Sequence, residues 1–317
     1  MLKTRKIIAL ITTLLLVFSL TGCSSMFMDY EIEEPLGPSG SYIGIVEIHG
    51  EIGPSADTSS LFATTTGYDH TAMMDFVDEM MEDDDNEGIL LSLDTPGGTV
   101  YESDELYLKL MEYKEETGRP IYAYMHSMAA SGGYYISMAA DEIYANRNTT
   151  TGSIGVMMGG MDMSELYEKI GLKEQYITSG PNKAMGSSGT PMTEEQIAIF
   201  QSIVDEAYDI FVDIIVEGRG LKEAEVRKIA DGRIYTAKQA LDLKLIDGIS
   251  LYDDYLDQIA EDFDDDIEFY TPAAAEDDFM SLLLGRIEKL IPKSDAEIFT
   301  EFCEENSHMV PMYYYGG

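Results

Sequence analysis

The run GILLSLDTPGG (Gly88 to Gly98) is a short apolar stretch of strand length that stops in a Pro-Gly-Gly turn, and ESDELYLKLMEYKEE (Glu102 to Glu116) follows at once with an amphipathic helical pattern. PIYAYM (Pro120 to Met125) is a second apolar strand, and SGGYYISMAADEIYA resumes a helix and then a strand. Upstream, YIGIVEIHGEI (Tyr42 to Ile52) is β-rich, and in TAMMDFVDEMMEDDDNEG (Thr71 to Gly88) the residues Met74, Phe76, Val77, Met80 and Met81 recur at helical spacing. Strand, turn, helix and strand repeated in this order predict an α/β fold built of right-handed crossover units. The longest periodic segment, Thr193 to Arg219, reads as one long helix opened by a capping box, with Thr193 as N-cap and Gln196 three residues on.

The start of the chain reads as an export signal. Lys3, Arg5 and Lys6 precede 14 uncharged residues, Ile7 to Leu20, which is signal-peptide length and short of the roughly 20 that a spanning helix needs. The run ends in LTGC, which resembles a bacterial lipobox with Cys23 as the acylated residue. The expectation is a lipoprotein on the extracytoplasmic face of a bacterial cell membrane. A soluble secreted protein and a retained short anchor are the alternatives. Cys303 is the one other cysteine, so no disulfide framework is expected.

The predicted division is a signal peptide over residues 1–22, a tether over 23–41, a folded α/β domain over 42–250 and an acidic extension over 251–317. The end, MYYYGG, reads as peripheral. The formal charge is −39 and becomes −42 without the first 22 residues, which hold three basic residues and no acidic one. Nucleic acid and anionic lipid surfaces are poor partners for such a body. The acidic runs, such as EDDDNE (Glu82 to Glu87), fit no EF-hand spacing, so no metal and no cofactor are expected.

In MHSMAASGGYYISMAAD, Ser131 stands at the end of a strand and the start of a helix. There a hydroxyl is exposed at the sheet tip beside free backbone N–H groups, and Gly132 and Gly133 permit close backbone approach. An ordinary N-cap is the plain alternative. The turn DTPGG (Asp94 to Gly98) closes a neighbouring parallel strand and can offer a second N–H to an oxyanion, or be a tight turn only.

A base for Ser131 is harder to find among the four histidines, His49, His70, His126 and His308. His126 is five residues before Ser131 on an extended segment, too near in sequence to fold back onto the hydroxyl. Lys183, in SGPNKAMGSSG (Ser179 to Gly189), is flanked by small and apolar residues rather than acids. An ammonium of ordinary pKa, about 10.4, is no base at neutral pH; burial without a carboxylate would favour the neutral amine and permit a Ser-Lys pair. A solvated loop lysine is the alternative.

The segments TPGGTVYESDELY, MAASGGYYISMAADEIYA, TGSIGVM and DGRIYTAKQALDLKLIDGI, in this order, resemble the signal peptide peptidase A family of membrane-associated serine proteases, over roughly Tyr42 to Ile249. The resemblance implies a Clp-protease/crotonase-like α/β fold, Ser131 as nucleophile and Lys183 as general base. It further implies an oxyanion hole from the Gly132 N–H and a glycine of the pair Gly97 and Gly98, with Ser153 orienting the lysine. The loop PNKAMGS lacks the lysine or tyrosine before the catalytic lysine, and the acid after it, that the pattern leads one to expect, and the lipobox replaces the usual uncleaved membrane segment. The short form of the family implies a homo-oligomeric ring, an octamer, acting on remnant signal peptides through pockets suited to small or apolar side chains. A catalytically inactive scaffold and a crotonase-type acyl-CoA enzyme are the competing expectations; the export signal and acidic surface disfavour the second.

Overall fold

The computed structural model describes residues 37–55, 67–263, 267–272 and 308–314. The chain divides into one unit of residues 1–37 and another of residues 38–317, which holds all the described strands and helices. The export signal, the lipobox with Cys23, most of the tether and Cys303 lie outside the described residues.

The elements, in chain order, begin with β1 (Tyr42–His49), α1 (His70–Glu82), β2 (Asn86–Thr95), β3 (Gly97–Thr99), α2 (Val100–Thr117), β4 (Ile121–Ala130), α3 (Gly132–Ser137), β5 (Glu142–Ala145) and β6 (Thr150–Gly152). They continue with β7 (Met157–Gly159), α4 (Ser164–Ile170), α5 (Glu194–Arg219), α6 (Glu223–Ile229), β8 (Ile234–Thr236), α7 (Ala237–Asp242), β9 (Gly248–Ile249), α8 (Tyr252–Ala260), β10 (Glu268–Tyr270) and β11 (His308–Tyr314). The main sheet runs in the order β10-β1-β2-β4-β5-β9, all parallel; the end of β4 also pairs with β6, which pairs antiparallel with β8. The α/β expectation of strand and helix in alternation is what the chain forms.

The central strands are apolar almost throughout because both sheet faces are covered. Successive residues point to opposite sides: Ile89, Leu91 and Leu93 join the larger core with Ile121, Ala123 and Met125. Ile43, Ile45, Leu90, Tyr122 and Tyr124 instead meet Tyr255 and Ile259 of α8 on the second face. The segment after residue 250 therefore supplies a covering helix, an edge strand and β11 rather than a peripheral end.

Helix α5 starts as the sequence predicts. The Gln196 N–H donates to Thr193 Oγ1 at 3.2 Å, and the Thr193 N–H donates to Gln196 Oε1 at 3.1 Å. Its far end is tied to β9 by Arg219, which donates to both carboxylate oxygens of Asp247 at 2.9 and 2.7 Å. Among the described residues no helix is long and apolar enough to cross a membrane, and no group of three or more His, Cys, Asp or Glu side chains is placed to hold a metal ion.

Candidate active site

Parallel strands bring their carboxyl ends to one edge of a sheet, and β2, β4 and β6 end together here. Ser131 follows β4 directly with φ 53° and ψ −112°, a conformation that costs a non-glycine residue about 1–3 kcal/mol and persists only where its surroundings enforce it. Two hydrogen bonds enforce it. The Ser131 N–H donates to the Gly152 carbonyl at 2.8 Å, and the Ser131 carbonyl accepts from Tyr135 N–H at 2.8 Å. The residue is 1% exposed and its Oγ has no hydrogen-bond partner among the described residues. A buried hydroxyl left unpaired costs about 1–3 kcal/mol, and Ser131 shares this state with Ser250 and Tyr255 among the described residues. No side-chain capping bond forms, which removes the plain N-cap alternative.

The glycine pair is divided by its hydrogen bonds. The Gly97 N–H donates to Thr95 Oγ1 at 3.0 Å, and its carbonyl accepts from Ile52 N–H at 2.9 Å. Thr99 N–H donates to the Ile52 carbonyl at 2.9 Å, so strand alternation turns the Gly98 N–H to the opposite side, toward its register partner Tyr313 on β11. A Cβ built on Gly132 would lie 3.2 Å from both the Gly98 nitrogen and the Tyr313 carbonyl oxygen. One built on Gly97 (φ +98°) would meet that same oxygen at 2.1 Å and the Gly132 nitrogen at 2.6 Å. The backbones of Gly98 and Gly132 and the Tyr313 carbonyl thus converge on one point that no side chain could share.

Strand β11 lies antiparallel between β3 and β7, with Met312, Tyr313 and Tyr314 facing Thr99, Gly98 and Gly97. Pro311, which has no N–H, falls where the register with β7 breaks. A peptide segment of this chain therefore lies across the glycine cradle. The sequence signal for it was present in HMVPMYY, an apolar run of strand length, but its distance from Gly98 along the chain concealed the pairing.

Ser153 is buried, has φ 50°, and is held by its N–H donating to the Arg233 carbonyl at 2.8 Å. It follows Gly152, the acceptor of the Ser131 N–H, and lines a cleft of about 360 Å³ with Met157, Asp205, Tyr208 and Asp231. Lys183 stands elsewhere. It lies exposed on a run of turns, in a hollow lined by Tyr176, Asn182, Met185 and Phe200, and its ammonium has no hydrogen bond or ion pair among the described residues. Within one chain, Ser131, Gly98, Gly132 and Ser153 stand at the strand ends, while Lys183 makes no hydrogen bond to Ser131 and lines a different hollow from Ser153.

Three of the four histidines are held by other partners, and the side chain of His308 lies outside the described residues. His126 lies before Ser131 on β4, with Nε2 paired to Ser92 Oγ at 2.9 Å. His70 is engaged by Tyr68 and Glu105 at 2.6 and 2.8 Å. His49 packs edge-on against His126. None of these contacts reaches Ser131.

A serine on a strained strand-to-helix junction, beside glycine backbones crossed by an extended segment, is the kind of arrangement from which acyl-transfer sites on α/β scaffolds are built. The sequence profile of peptidase family S49 matches residues 113–265. A protein of Enterococcus faecium provisionally named signal peptide peptidase SppA is 37% identical over 248 residues, covering 77% of this chain and 71% of that one. Serine protease SPPA, chloroplastic, of Arabidopsis thaliana is 34% identical over 161 residues, 50% of this chain and 24% of its own. Protease 4 of Haemophilus influenzae is 32% identical over 173 residues, 54% and 28% respectively. The chain belongs to peptidase family S49, and this membership supports a serine-type peptidase acting on peptides. The parallel-rich α/β sheet is consistent with that family.

Proposed function

We propose that this protein is a membrane-tethered endopeptidase that degrades remnant signal peptides and other short peptides, with Ser131 as nucleophile. The observation that carries this is the buried, unpartnered Ser131 Oγ beside a peptide strand whose Tyr313 carbonyl meets the Gly98 and Gly132 backbones.

In this reading the substrate adds as a strand beside β3, in the place that β11 takes. Ser131 Oγ attacks the scissile carbonyl carbon while its proton passes to the neutral amine of Lys183. The negative charge on the carbonyl oxygen is met by the Gly98 and Gly132 N–H groups. Collapse expels the amine product, which takes the proton from Lys183, and water activated by the same lysine hydrolyses the acyl-enzyme. Ser153 positions the lysine. Of the two glycines carried from the sequence, Gly98 takes the oxyanion role because the Gly97 N–H is held by Thr95.

Because Lys183 is exposed and unpaired in its own chain, the reading gives it to the Ser131 of another copy. The homo-oligomeric ring is then a requirement of the chemistry. The N-terminal signal would export the chain, and acylated Cys23 would hold this assembly on the extracytoplasmic face of the membrane.

The test is hydrolysis of an apolar signal-peptide-like substrate by the wild type, Ser131→Ala and Lys183→Ala proteins, and by a co-refolded mixture of the two variants. Loss in each variant with partial recovery in the mixture is expected. Full activity in Lys183→Ala overturns the dyad, and full activity in Ser131→Ala overturns the peptidase site.

A further inference from the structure

We infer that Thr95 and Ser103 are positioning residues that fix the Gly98 and Gly132 backbones against one another; this rests on the peptidase reading above and deepens its oxyanion step.

Strand β3 is only three residues long, so its place is set by what surrounds it. A backbone N–H stabilises an oxyanion to the extent that its position is fixed before the charge develops. Whatever holds Gly98 therefore decides its use, and both of its neighbours are held by side-chain hydroxyls. On one side, the Gly97 N–H donates to Thr95 Oγ1 at 3.0 Å. On the other, Ser103 Oγ donates to the Thr99 carbonyl at 2.8 Å. Thr95 closes β2 and Ser103 belongs to the start of α2, so each bond ties the short strand to a longer element.

The same two side chains meet the start of α3. A Cβ built on Gly133 would lie 2.5 Å from Thr95 Cγ2, and one built on Gly132 would lie 2.5 Å from Ser103 Oγ. Each residue thus bonds to β3 and presses on one of the two glycines that follow Ser131. Both are fully buried, so these contacts form away from solvent. A serine that donates to the carbonyl four residues back is a common local bond in helices and by itself says nothing of function. The contact with Gly132 gives Ser103 its second role, and the methyl group of Thr95 does the same at Gly133. Neither residue supplies a group to the reaction; each acts through the glycine backbone.

The experiment measures kcat and KM separately for a signal-peptide-like substrate, with the full-length protein and its Thr95→Val, Thr95→Ser and Ser103→Ala variants. Thr95→Val keeps a methyl against Gly133 and removes the acceptor for Gly97, whereas Thr95→Ser keeps the acceptor. Thr95→Val and Ser103→Ala are each expected to lower kcat about tenfold to 100-fold with KM within about twofold, because a displaced donor is felt in the transition state. Thr95→Ser is expected to hold kcat within about threefold of wild type. A peptide aldehyde, whose tetrahedral adduct with Ser131 presents its oxygen to the same N–H groups, should lose affinity in Thr95→Val and Ser103→Ala, and the matching peptide alcohol should not. Should Thr95→Val fold poorly, Ser103→Ala decides. Ser131-dependent hydrolysis with kcat within about threefold of wild type in Thr95→Val and Ser103→Ala overturns the positioning role alone. Aldehyde and alcohol weakened alike, or a loss that Thr95→Ser shares in full, also overturns it. Absence of hydrolysis by the wild type, or hydrolysis that survives Ser131→Ala, overturns the peptidase reading and the positioning role together.

Discussion

The backbone N–H of Ser131 donates to the carbonyl of Gly152 at 2.8 Å, so a residue with positive φ at the end of β4 is held by a glycine with positive φ (+86°) at the end of β6. The strained serine and the glycine that restrains it stand at the ends of adjacent strands of one sheet. Gly152→Ala would place a methyl 2.6 Å from the Tyr235 ring and 3.0 Å from the Arg233 carbonyl. Together with the left-handed backbone, this is expected to destabilise the fold by about 2–4 kcal/mol. Chemical denaturation monitored by circular dichroism measures it, and a loss below about 0.5 kcal/mol would show that the junction adapts freely.

At Gly98 a Cβ would lie 1.7 Å from the Ile52 carbonyl oxygen, so β3 cannot keep its place with any side chain there. Gly98→Ala is expected to displace the Gly98 N–H and lower kcat by about 100-fold or more, as removal of one oxyanion donor does. A kcat within threefold of wild type would remove Gly98 from the oxyanion role.

Strand β11 occupies the edge of β3 that the proposed reading gives to the substrate. Tyr313→Ala removes the stacked ring and the Ala207 bond that seat it. The expected outcome is a lower KM for added peptide with kcat little changed, since an occupant tethered to the same chain acts at high effective concentration. Steady-state kinetics on both proteins check this; an unchanged KM would mean that β11 does not compete.

His126 sits between the rings of Tyr124 and Tyr252, each 5.0 Å away, and burial holds its pKa below the ordinary histidine range. The carboxylate of Asp94 works against that shift, and His49 works with it. A folded pKa below the unfolded value means that the unfolded chain binds the proton more readily. The stability contributed by neutral His126 is therefore complete above about pH 6.5 and is lost as pH falls through the folded value. The melting temperature of the wild type should fall between pH 7 and 5 more steeply than that of His126→Gln, and equal slopes would refute the assignment.

Much of the fold was legible because it is local. The apolar runs at 42–52, 88–95 and 120–125 and the helical patterns between them specify alternating strands and helices, and TEEQ specifies the start of α5, since each depends on neighbours a few residues apart. The serine beside two glycines after a strand was readable for the same reason. Boundaries moved where tertiary pairing prolonged an element: β4 runs to Ala130 because its end finds β6 as a partner.

What the amino-acid sequence determined alone was the order of elements, the acidic character of the body and the placement of Ser131, Gly98 and Gly132 just beyond the ends of two strands. Only the tertiary structure decided that Gly98 rather than Gly97 faces the cradle, that residues 308–314 lie across it, that Tyr313 enters an aromatic recess, and that Lys183 is exposed and makes no hydrogen bond to Ser131. The physical reason is that hydrogen-bond direction on a short strand, and the pairing of segments more than 200 residues apart, depend on what the folded chain brings alongside. No pattern within a window of sequence carries that information.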